Sequence, residues 1–376
     1  MKITGIEPTP SPNSMKINLT ETLPGTERYN YTKDQADKAP EFISEILKVE
    51  GVKSIYHVAD FIALERNPRA KWEDVLSGVR KVFGQDEEFG TQEQEAQKED
   101  EITEITVLVQ MFRGLPMQIK LKTEHEERRV GLPERFAKAA LEAQDSSENL
   151  VMERKWEEQG IRYGTFEQVG NEVADELSAV YPQERLDLLV KQAYSSNGEQ
   201  ELKKEAVSTS EVAEKLRDTD WQTRYAALEK MNPTIDDVMV LKQALKDDKP
   251  SIRRLAVVYL GMIEDEAVLP LLYLALQDKN VSVRRTAGDA LSDLGNPMAI
   301  PVMCDALSDK NKLVRWRAAR FLFEVGDETA LPALKAAQDD PEFEVALQVK
   351  IAIERIQSGE EAAGTVWQQM TKSREK

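Results

Sequence analysis

The sequence is poor in the residue types that carry most enzyme chemistry. It has 376 residues but one cysteine, Cys304, and two histidines, His57 and His125. A single cysteine excludes an intramolecular disulfide and the paired cysteines of a CxxC iron–sulfur or redox motif. The motifs HExxH, GxxxxGK, GxGxxG and GxSxG and the EF-hand loop are absent as well. We therefore expect no catalytic residue, no metal and no cofactor, and we predict that the protein is not an enzyme.

Basic charge and long apolar runs are scarce too. The chain has 50 Lys and Arg against 68 Asp and Glu, which gives a net charge of -18 and an isoelectric point near 4.8. Such a charge disfavours binding to a phosphate backbone by bulk electrostatics and favours a surface that meets other proteins. No run of about 18 apolar residues occurs, and the opening MKITGIEPTP lacks the apolar stretch of a signal peptide. We expect a cytoplasmic protein.

The few candidate reactive side chains have plain structural interpretations. His57 lies in SIYHVADF, where strand alternation places it on the same face as Ile55, so we expect a packed or surface histidine. His125 lies in TEHEERR and is interpreted as solvated, and its neighbouring glutamates point in different directions, which disfavours an ion site there. Cys304 lies in the apolar segment AIPVMCDALS, which is typical of cysteine packing as a small hydrophobe.

The first 88 residues show the pattern of a small α+β domain. Alternating apolar residues predict strands, apolar residues spaced three and four apart predict helices, and a hairpin is expected to turn near Asp60. The helix preceding the hairpin is expected to end at Gly51. The segments in chain order are the strands MKITGIEP and SMKINLT, the helix EFISEILKVEG, the hairpin KSIYHV and FIALER, and the helix WEDVLSGVRKVFG.

This region resembles a known domain. SPNSMKI, Pro40, LKVEGVKSIYHVADFIALER and Trp72 are similar to the N-terminal domain of the Nfu/NifU scaffold proteins of iron–sulfur assembly, over Met1 to Phe83. The resemblance implies that fold for residues 1–88. In that family a partner domain carries the cluster-binding CxxC, and this sequence has no such motif. We therefore do not extend cluster carriage to this chain.

A second α+β domain is predicted over residues 101–200. The charged stretch TQEQEAQKED, between Phe89 and Ile102, is typical of a linker. ITVLVQMF and PMQIKLK then predict a hairpin across Arg113-Gly114-Leu115. PERFAKAALEAQ, QVGNEVADELSAV and QERLDLLVKQA predict three helices. Residues 91–200 carry 13 basic and 23 acidic side chains, which would repel nucleic acid. SSNGEQELKKEAVSTS is interpreted as a connector, with Ser210 as the cap of the next helix.

The last part of the chain is repetitive. Aspartate, arginine and proline each recur every 31 residues, and an earlier copy lies 29 residues ahead. Counted from each arginine, alanine stands at +3 and a large apolar residue at +7, which places both on one helix face. The repeated residues are Asp218, Asp247, Asp278 and Asp309, with Arg224, Arg253, Arg284 and Arg315, and with Pro270, Pro301 and Pro332.

This pattern resembles the HEAT repeat, especially its bacterial phycobilisome-lyase-like variety. The resemblance implies an all-α superhelical solenoid over residues 210–357, with four to five helix pairs and a tail over residues 358–376. It also implies that the repeated Asp and Arg residues form a hydrogen-bonded ladder along the stack. The last copy has Asp339 and Asp340 but Val345 and Ala346 where an arginine is expected, so we interpret it as a cap without a following neighbour.

One row of residues on the repeats is a candidate docking surface. Positions +1, +5 and +8 lie opposite the expected core face, so packing does not force them to repeat. Tyrosine, tryptophan and arginine dominate interface hot spots, and we predict that the row lines a concave face and binds a partner. The alternative is a solvated helix face on which arginine stems cover apolar surface. The predicted partner-binding residues are Tyr225, Arg254, Arg285, Trp316 and Arg320.

The order of the three regions resembles the conserved virulence factor C family of Gram-positive bacteria, a name to which we attach no reaction. We interpret the protein as a noncatalytic scaffold or adaptor for proteins, linked to iron–sulfur assembly or to virulence-type regulation. The alternative is a nucleic-acid-binding solenoid, and a lyase or chaperone for a prosthetic group rests on fold analogy alone. The nucleic-acid alternative would use Arg254, Arg285, Arg315, Arg317 and Arg320, although residues 211–357 carry 20 basic against 25 acidic side chains.

Overall fold

The computed structural model describes residues 3–8, 13–21, 28–58, 61–67, 70–84, 102–123, 126–147, 149–195 and 207–359. These residues form two compact units, one combining 3–84 with 303–359 and the other spanning 102–302. His125, Asp60, the predicted linker before Ile102, most of the connector after Ser195 and the tail from residue 360 lie outside the described residues. No helix in the described part of the chain is long and apolar enough to cross a bilayer.

The N-terminal domain is a five-stranded antiparallel sheet with two helices on one face. The strand order is β1-β2-β5-β4-β3, and the predicted hairpin is the pair β4 and β5. Ile43 and Ile46 of the first helix and Val75 and Val79 of the second are fully buried in the core with the sheet. The elements are β1 (Ile3–Pro8), β2 (Ser14–Leu19), β3 (Arg28–Thr32), α1 (Glu41–Lys48), β4 (Val52–Val58), β5 (Phe61–Arg66) and α2 (Trp72–Val82). The predicted α+β class is confirmed, and strand β3 is an addition to it.

Helix α1 ends three residues earlier than predicted. Its last residue is Lys48, and Gly51 lies in the turn that leads into β4, with a left-handed φ of 88°. Glycine adopts this backbone conformation without the steric cost that a Cβ would add. The glycine therefore directs the chain from the helix into the sheet.

His57 is buried in the core of this domain. Its side chain is 3% exposed, on the face of β4 that also carries Ile55, and its ring meets Phe42 of α1 edge to face at 5.6 Å. Neither ring nitrogen has a hydrogen-bond partner among the described residues. Burial lowers the pKa of His57 below its ordinary value, because the cationic form would lose its hydration. The histidine is thus held neutral as a core residue.

We expect this burial to make the domain less stable in mild acid. Below about pH 6.5 the unfolded chain takes up a proton on His57 that the folded chain resists, so the free energy of unfolding falls by up to about 1.4 kcal/mol per pH unit until the lowered pKa is reached. Hydrogen exchange of the β4 amides at pH 7.5 and 5.5, corrected for the intrinsic rates, measures this loss. The His57→Phe variant should lose less stability over the same interval. If the unaltered chain and His57→Phe lost the same stability between pH 7.5 and 5.5, His57 would not be the cause of the loss.

The middle domain is a four-stranded antiparallel sheet with helices on its faces. Its strand order is β8-β7-β6-β9, and β6 and β7 form the predicted hairpin. The two residues that join them, Arg113 and Gly114, both have positive φ. Two positive φ values are typical of a type I′ hairpin turn. The elements are β6 (Thr103–Phe112), β7 (Leu115–Lys122), β8 (Glu127–Gly131), α3 (Glu134–Glu142), α4 (Leu150–Glu153), β9 (Lys155–Gly164), α5 (Phe166–Val180) and α6 (Gln183–Ser195). Strands β8 and β9 were not predicted.

The rest of the described chain is helical and consists of pairs joined by an aspartate-containing turn. The predicted repeat unit is confirmed, and the alanines at +3 are buried in every copy. The first helix is capped by Ser208, whose side chain accepts from the backbone of Glu211, so the prediction of Ser210 as the cap is wrong. The pairs are α7 (Thr209–Lys215) with α8 (Trp221–Glu229), α9 (Val238–Ala244) with α10 (Pro250–Met262), α11 (Leu269–Ala275) with α12 (Val281–Leu294), α13 (Ile300–Ala306) with α14 (Lys312–Val325), and α15 (Leu331–Ala337) with α16 (Phe343–Gln357).

Candidate interaction surface

The repeated aspartate shapes the turn between the two helices of each pair. Asp247 Oδ1 accepts the backbone N–H of Lys249 at 2.8 Å, and Asp278 and Asp309 accept from the residue two positions on at 2.7 and 2.8 Å. Asp218 in the first copy does the same at 2.9 Å. Aspartate favours such local turns because its short side chain reaches the backbone two residues ahead. This role accounts for aspartate at one fixed place in every copy.

The repeated arginine joins its own turn to the aspartate of the following copy. Arg253 donates from Nε and Nη2 to both carboxylate oxygens of Asp278, at 2.7 and 2.9 Å, and from Nη1 to the carbonyls of Asp247 and Asp248. Arg224 binds Asp247 in the same two-pronged way. The planar guanidinium suits this geometry because it presents its donors in a fixed fork.

Two further arginines occupy the equivalent place. Arg315 donates to both oxygens of Asp340, at 2.7 and 3.0 Å, and to the carbonyl of Asp309 at 2.9 Å. Arg284 donates to the carbonyl of Asp278 at 2.9 Å. The side chains in these pairs are almost completely shielded from solvent, with 4% exposure for Arg253 and 12% for Asp278. Breaking a pair would therefore leave a buried charge without compensation.

The last copy does have a neighbour, although that neighbour is not a repeat. Phe343 and Leu347 of α16 pack against the core of the N-terminal domain. Arg66, at the end of β5, donates to Glu344 at 2.6 Å, and its guanidinium lies 4.9 Å from the ring of Trp72. The N-terminal domain thus packs on α16, the helix of the copy that the sequence analysis interpreted as a cap. The expectation of a copy without a following neighbour is wrong in this respect.

The predicted docking row is not an open surface. Tyr225, Arg254, Arg285 and Trp316 are only 5%, 4%, 2% and 6% exposed. Arg320 is half-buried and donates to Glu324, on its own helix, at 2.7 Å. The expectation of an exposed row is therefore wrong for the four +1 residues. The middle domain covers Tyr225, Arg254 and Arg285 of this row, and the binding of a separate partner by the row stays a prediction.

Glu176 of α5 is the centre of the first contact between the middle domain and the repeats. One of its oxygens lies 3.9 Å from Nη2 of Arg254, and the other accepts from Arg162 of β9 at 3.4 Å. Burial, with the charge of Glu176 added, raises the pKa of Tyr225 well above its ordinary value. Burial and then the charge of Glu176 also raise the pKa of Glu172. The carboxylates of Glu172 and Glu176 and the guanidiniums of Arg162 and Arg254 thus share one largely buried site.

Arg285 is the centre of a second contact with the same domain. Its guanidinium lies 4.7 Å from the ring of Tyr163, its Nη1 pairs with Asp289, and its Nη2 is 3.9 Å from Glu104. The hydroxyl of Tyr163 donates to Asp289 at 2.6 Å. Aromatic stacking and charge-assisted hydrogen bonds on a fully desolvated arginine are typical of a protein–protein hot spot.

A third contact lies at the edge of the same interface. Nζ of Lys249 is 3.6 Å from Asp175 of α5 and 4.0 Å from the ring centre of Trp221. Trp221 in turn meets Tyr225 edge to face at 6.4 Å. Helix α5 therefore packs on the repeats with its acidic side chains directed at their cations.

The sequence missed the middle-domain half of this site. Arg162 and Tyr163 come from β9. The first seven residues of this strand are exposed or half-buried and only its last three are buried, so the apolar alternation that identifies a strand is absent. The acidic run of α5, with Glu172, Asp175 and Glu176 at helical spacing, was the one available signal. Helical spacing alone could not show which residues of the repeats these carboxylates contact.

Cys304 has the chemistry of a structural cysteine. Burial, with Asp305 and Asp327 adding negative charge, raises the pKa of its thiol to about 11. A thiol with that pKa is almost entirely protonated at neutral pH and is a poor nucleophile. Among the described residues there is also no group of three His, Cys, Asp or Glu side chains arranged to hold a metal ion.

Three families match separate parts of the chain. Residues 3–88 match the family described as the N-terminal region of the scaffold proteins Nfu/NifU, and residues 110–190 match the family described as virulence factor. Residues 209–292 and 270–354 match HEAT repeats. These matches follow the order of the N-terminal domain, the middle domain and the repeats.

Full-length relatives are similar as well. The protein named conserved virulence factor C of Staphylococcus aureus (strain MRSA252) is 47% identical over 378 residues, which cover 99% of each chain. The protein YpgR of Bacillus subtilis (strain 168) is 59% identical over 376 residues and covers 100% of both chains. The crystal structure of protein SAV1430 from Staphylococcus aureus covers 22% of this chain and 99% of its own, with 52% identity and a TM-score of 0.21.

Proposed function

The chain belongs to the conserved virulence factor C family, and we propose that it works as a noncatalytic adaptor that binds other proteins in the cytoplasm. The observation that carries the proposal is the contact of the repeats with the middle domain. There the repeats bind a folded domain through Tyr225, Arg254 and Arg285, three residues of the types that dominate protein interfaces. Surfaces of this chemistry recognise proteins.

The arginine pairs support a protein partner over a nucleic acid. Arg254, Arg285, Arg315 and Arg320 each lie against a carboxylate of the chain itself, and Arg317 lies 5.8 Å from the ring of Trp316. Phosphate binding needs cations that can replace counterions at the surface. Arg254, Arg285, Arg315 and Arg320 already pair with carboxylates of the chain, which supports a protein partner over the nucleic-acid alternative.

Two similarities suggest where the adaptor works. Residues 3–88 match the N-terminal region of Nfu/NifU scaffolds, which supports a link with iron–sulfur assembly. The family name supports a link with virulence-type regulation. Both links are part of the proposal, since a domain of this fold does not by itself carry the function of its relatives.

Affinity purification of the tagged full chain, followed by mass spectrometry, tests the adaptor function. We expect specific proteins to be enriched over an untagged control and to be lost with Arg253→Ala, which breaks the repeat ladder. Lys279→Ala, an exposed change next to Asp278, should keep them. An absence of enriched proteins, or equal recovery with both variants, would contradict an adaptor that binds through its repeats.

A further inference from the structure

We propose that the repeat surface formed by Trp221, Tyr225, Lys249 and Arg254 binds an acidic helix of a partner protein, and that helix α5 of the chain's own middle domain occupies this surface as an internal competitor. The inference rests on the proposed adaptor function and names the chemistry of the partner. We call this surface the acidic-helix site, and the arrangement in which α5 covers it the closed arrangement.

Helix α5 serves as the template for the partner. Its carboxylates Glu172, Asp175 and Glu176 are spaced by three and four residues, which brings them to one side of the helix. Asp175 lies 3.6 Å from Lys249, and Glu176 lies 3.9 Å from Arg254. A helix with carboxylates at the same spacing would meet the same two cations.

The repeat side is built to receive such a helix. The cation of Lys249 rests on the ring of Trp221 at 4.0 Å, which fixes its position, and Arg254 is 4% exposed and held under the contact. Trp221 and Tyr225 supply apolar area to this surface, and their rings meet edge to face. Aromatic area combined with placed cations is the composition expected of a binding hot spot.

The middle domain is an imperfect occupant of its own site. Arg162 of β9 shares the carboxylate of Glu176 with Arg254 and places a second cation beside that arginine. Nε of Arg254 and Nε of Arg162 are both buried without a hydrogen-bond partner among the described residues. Buried polar atoms without hydrogen-bond partners weaken a contact, because they lose their hydrogen bonds to water and form no new ones.

A partner helix need not have either disadvantage, the additional cation or the buried atoms without hydrogen-bond partners. It brings carboxylates without bringing Arg162, and its position can adjust so that a carboxylate accepts a hydrogen bond from Nε of Arg254. A ligand shifts an equilibrium between two arrangements by its differential affinity for them. An acidic helix that binds only the uncovered site therefore displaces α5 and frees the middle domain.

The test uses the full chain with the change Glu176→Arg. This change puts a third cation beside Arg162 and Arg254, so it should uncover the site while leaving every repeat residue intact. The probe is a fluorescein-labelled, helix-stapled peptide with the sequence of residues 166–180. We expect Glu176→Arg to bind this peptide at least about tenfold more tightly than the unaltered chain, which corresponds to roughly 1.4 kcal/mol. Hydrogen exchange of α8 and α10 should rise in the same variant.

Three controls separate the acidic-helix site from non-specific binding. Glu167→Arg makes the same charge change on an exposed residue of α5, and its peptide affinity should equal that of the unaltered chain. A peptide in which Glu172, Asp175 and Glu176 are replaced by their amides should not bind the Glu176→Arg chain. The charge swap Glu176→Arg with Arg254→Glu should restore the closed arrangement and abolish peptide binding.

Three outcomes would overturn the proposal: a folded Glu176→Arg chain that leaves the peptide unbound, equal binding by Glu167→Arg, and unchanged exchange of α8 and α10. If Glu176→Arg does not fold, Glu176→Gln removes one charge only and should still raise peptide affinity over the unaltered chain. No gain in that folded variant would also reject the proposal. Failure of the adaptor function is a separate result, because it would appear as an absence of enriched cellular proteins.

Discussion

Replacing Arg253 by alanine is expected to raise the hydrogen exchange of α10 and α12 by roughly 10²- to 10⁴-fold. The change removes four hydrogen bonds, two to Asp278 and one each to the carbonyls of Asp247 and Asp248. It also leaves the carboxylate of Asp278 buried without its cation. Removing one member of a buried ion pair costs about 3–5 kcal/mol, and each 1.36 kcal/mol is a factor of ten in the exchange rate.

If the arginine–aspartate ladder stabilises the stack, the stability lost on changing Arg253 must depend on the geometry of its hydrogen bonds as well as on its charge. Arg253→Lys keeps the charge but cannot form the forked pair, so its exchange should lie between the unaltered chain and Arg253→Ala. Lys279→Ala removes an exposed cation next to Asp278 and should change exchange little. Hydrogen exchange resolves the repeats from the other domains, which a whole-chain melting curve does not. If Lys279→Ala and Arg253→Ala had equal effects, the forked pair would not be what stabilises the stack.

The repeats could be predicted because their determinants recur at fixed spacing. Asp247 is recognisable both from its turn and from its equivalents 31 residues on, and the alanines at +3 mark the helix face that the next copy covers. A repeat protein is held by contacts between neighbouring copies, so its period in sequence is also its period in space. The two hairpins were predictable for a similar reason, since their strands are adjacent in the chain.

The strands that sequence missed are at the edges of their sheets. β3 and β8 are both terminal in strand order, and most residues of β8 are exposed. β9 is the other edge of its sheet and buries only its last three residues. An edge strand buries little apolar surface, so the alternation on which strand prediction depends is weak there. The missed strand β9 supplies Arg162 and Tyr163, which is why half of the interface was absent from the prediction.

The burial of the docking row could not be predicted from local sequence patterns. Tyr225, Arg254 and Arg285 contact the chain's own middle domain, whereas the sequence predicted that they bind a separate protein. An interface within a chain uses the same residue types as one between chains. Composition could therefore not distinguish a foreign partner from α5, and only the long-range fold identifies the occupant.

Replacing Gly51 by alanine is expected to destabilise the N-terminal domain by about 2–5 kcal/mol. Gly51 has a φ of 88°, and a Cβ there would overlap the Cβ of Ala70 and lie 2.8 Å from Cγ2 of Val75. The left-handed conformation costs an alanine about 1–2 kcal/mol, and overpacking a filled core adds about 1–3 kcal/mol. The turn cannot easily move away, because the carbonyl of Gly51 accepts the backbone N–H of Asn67 at 2.6 Å.

Gly84→Ala separates these two costs within the same domain. Gly84 has a similar φ of 69°, but a Cβ there would have no atom within 4 Å. It should therefore cost only the conformational part, about 1–2 kcal/mol. Hydrogen exchange of the β4 and β5 amides in the two variants measures the difference, which is the cost of crowding Ala70 and Val75. If the two variants were equally stable, the approach of α1, the loop and α2 around Gly51 would be looser than the structure describes, and glycine would be needed there for its backbone alone.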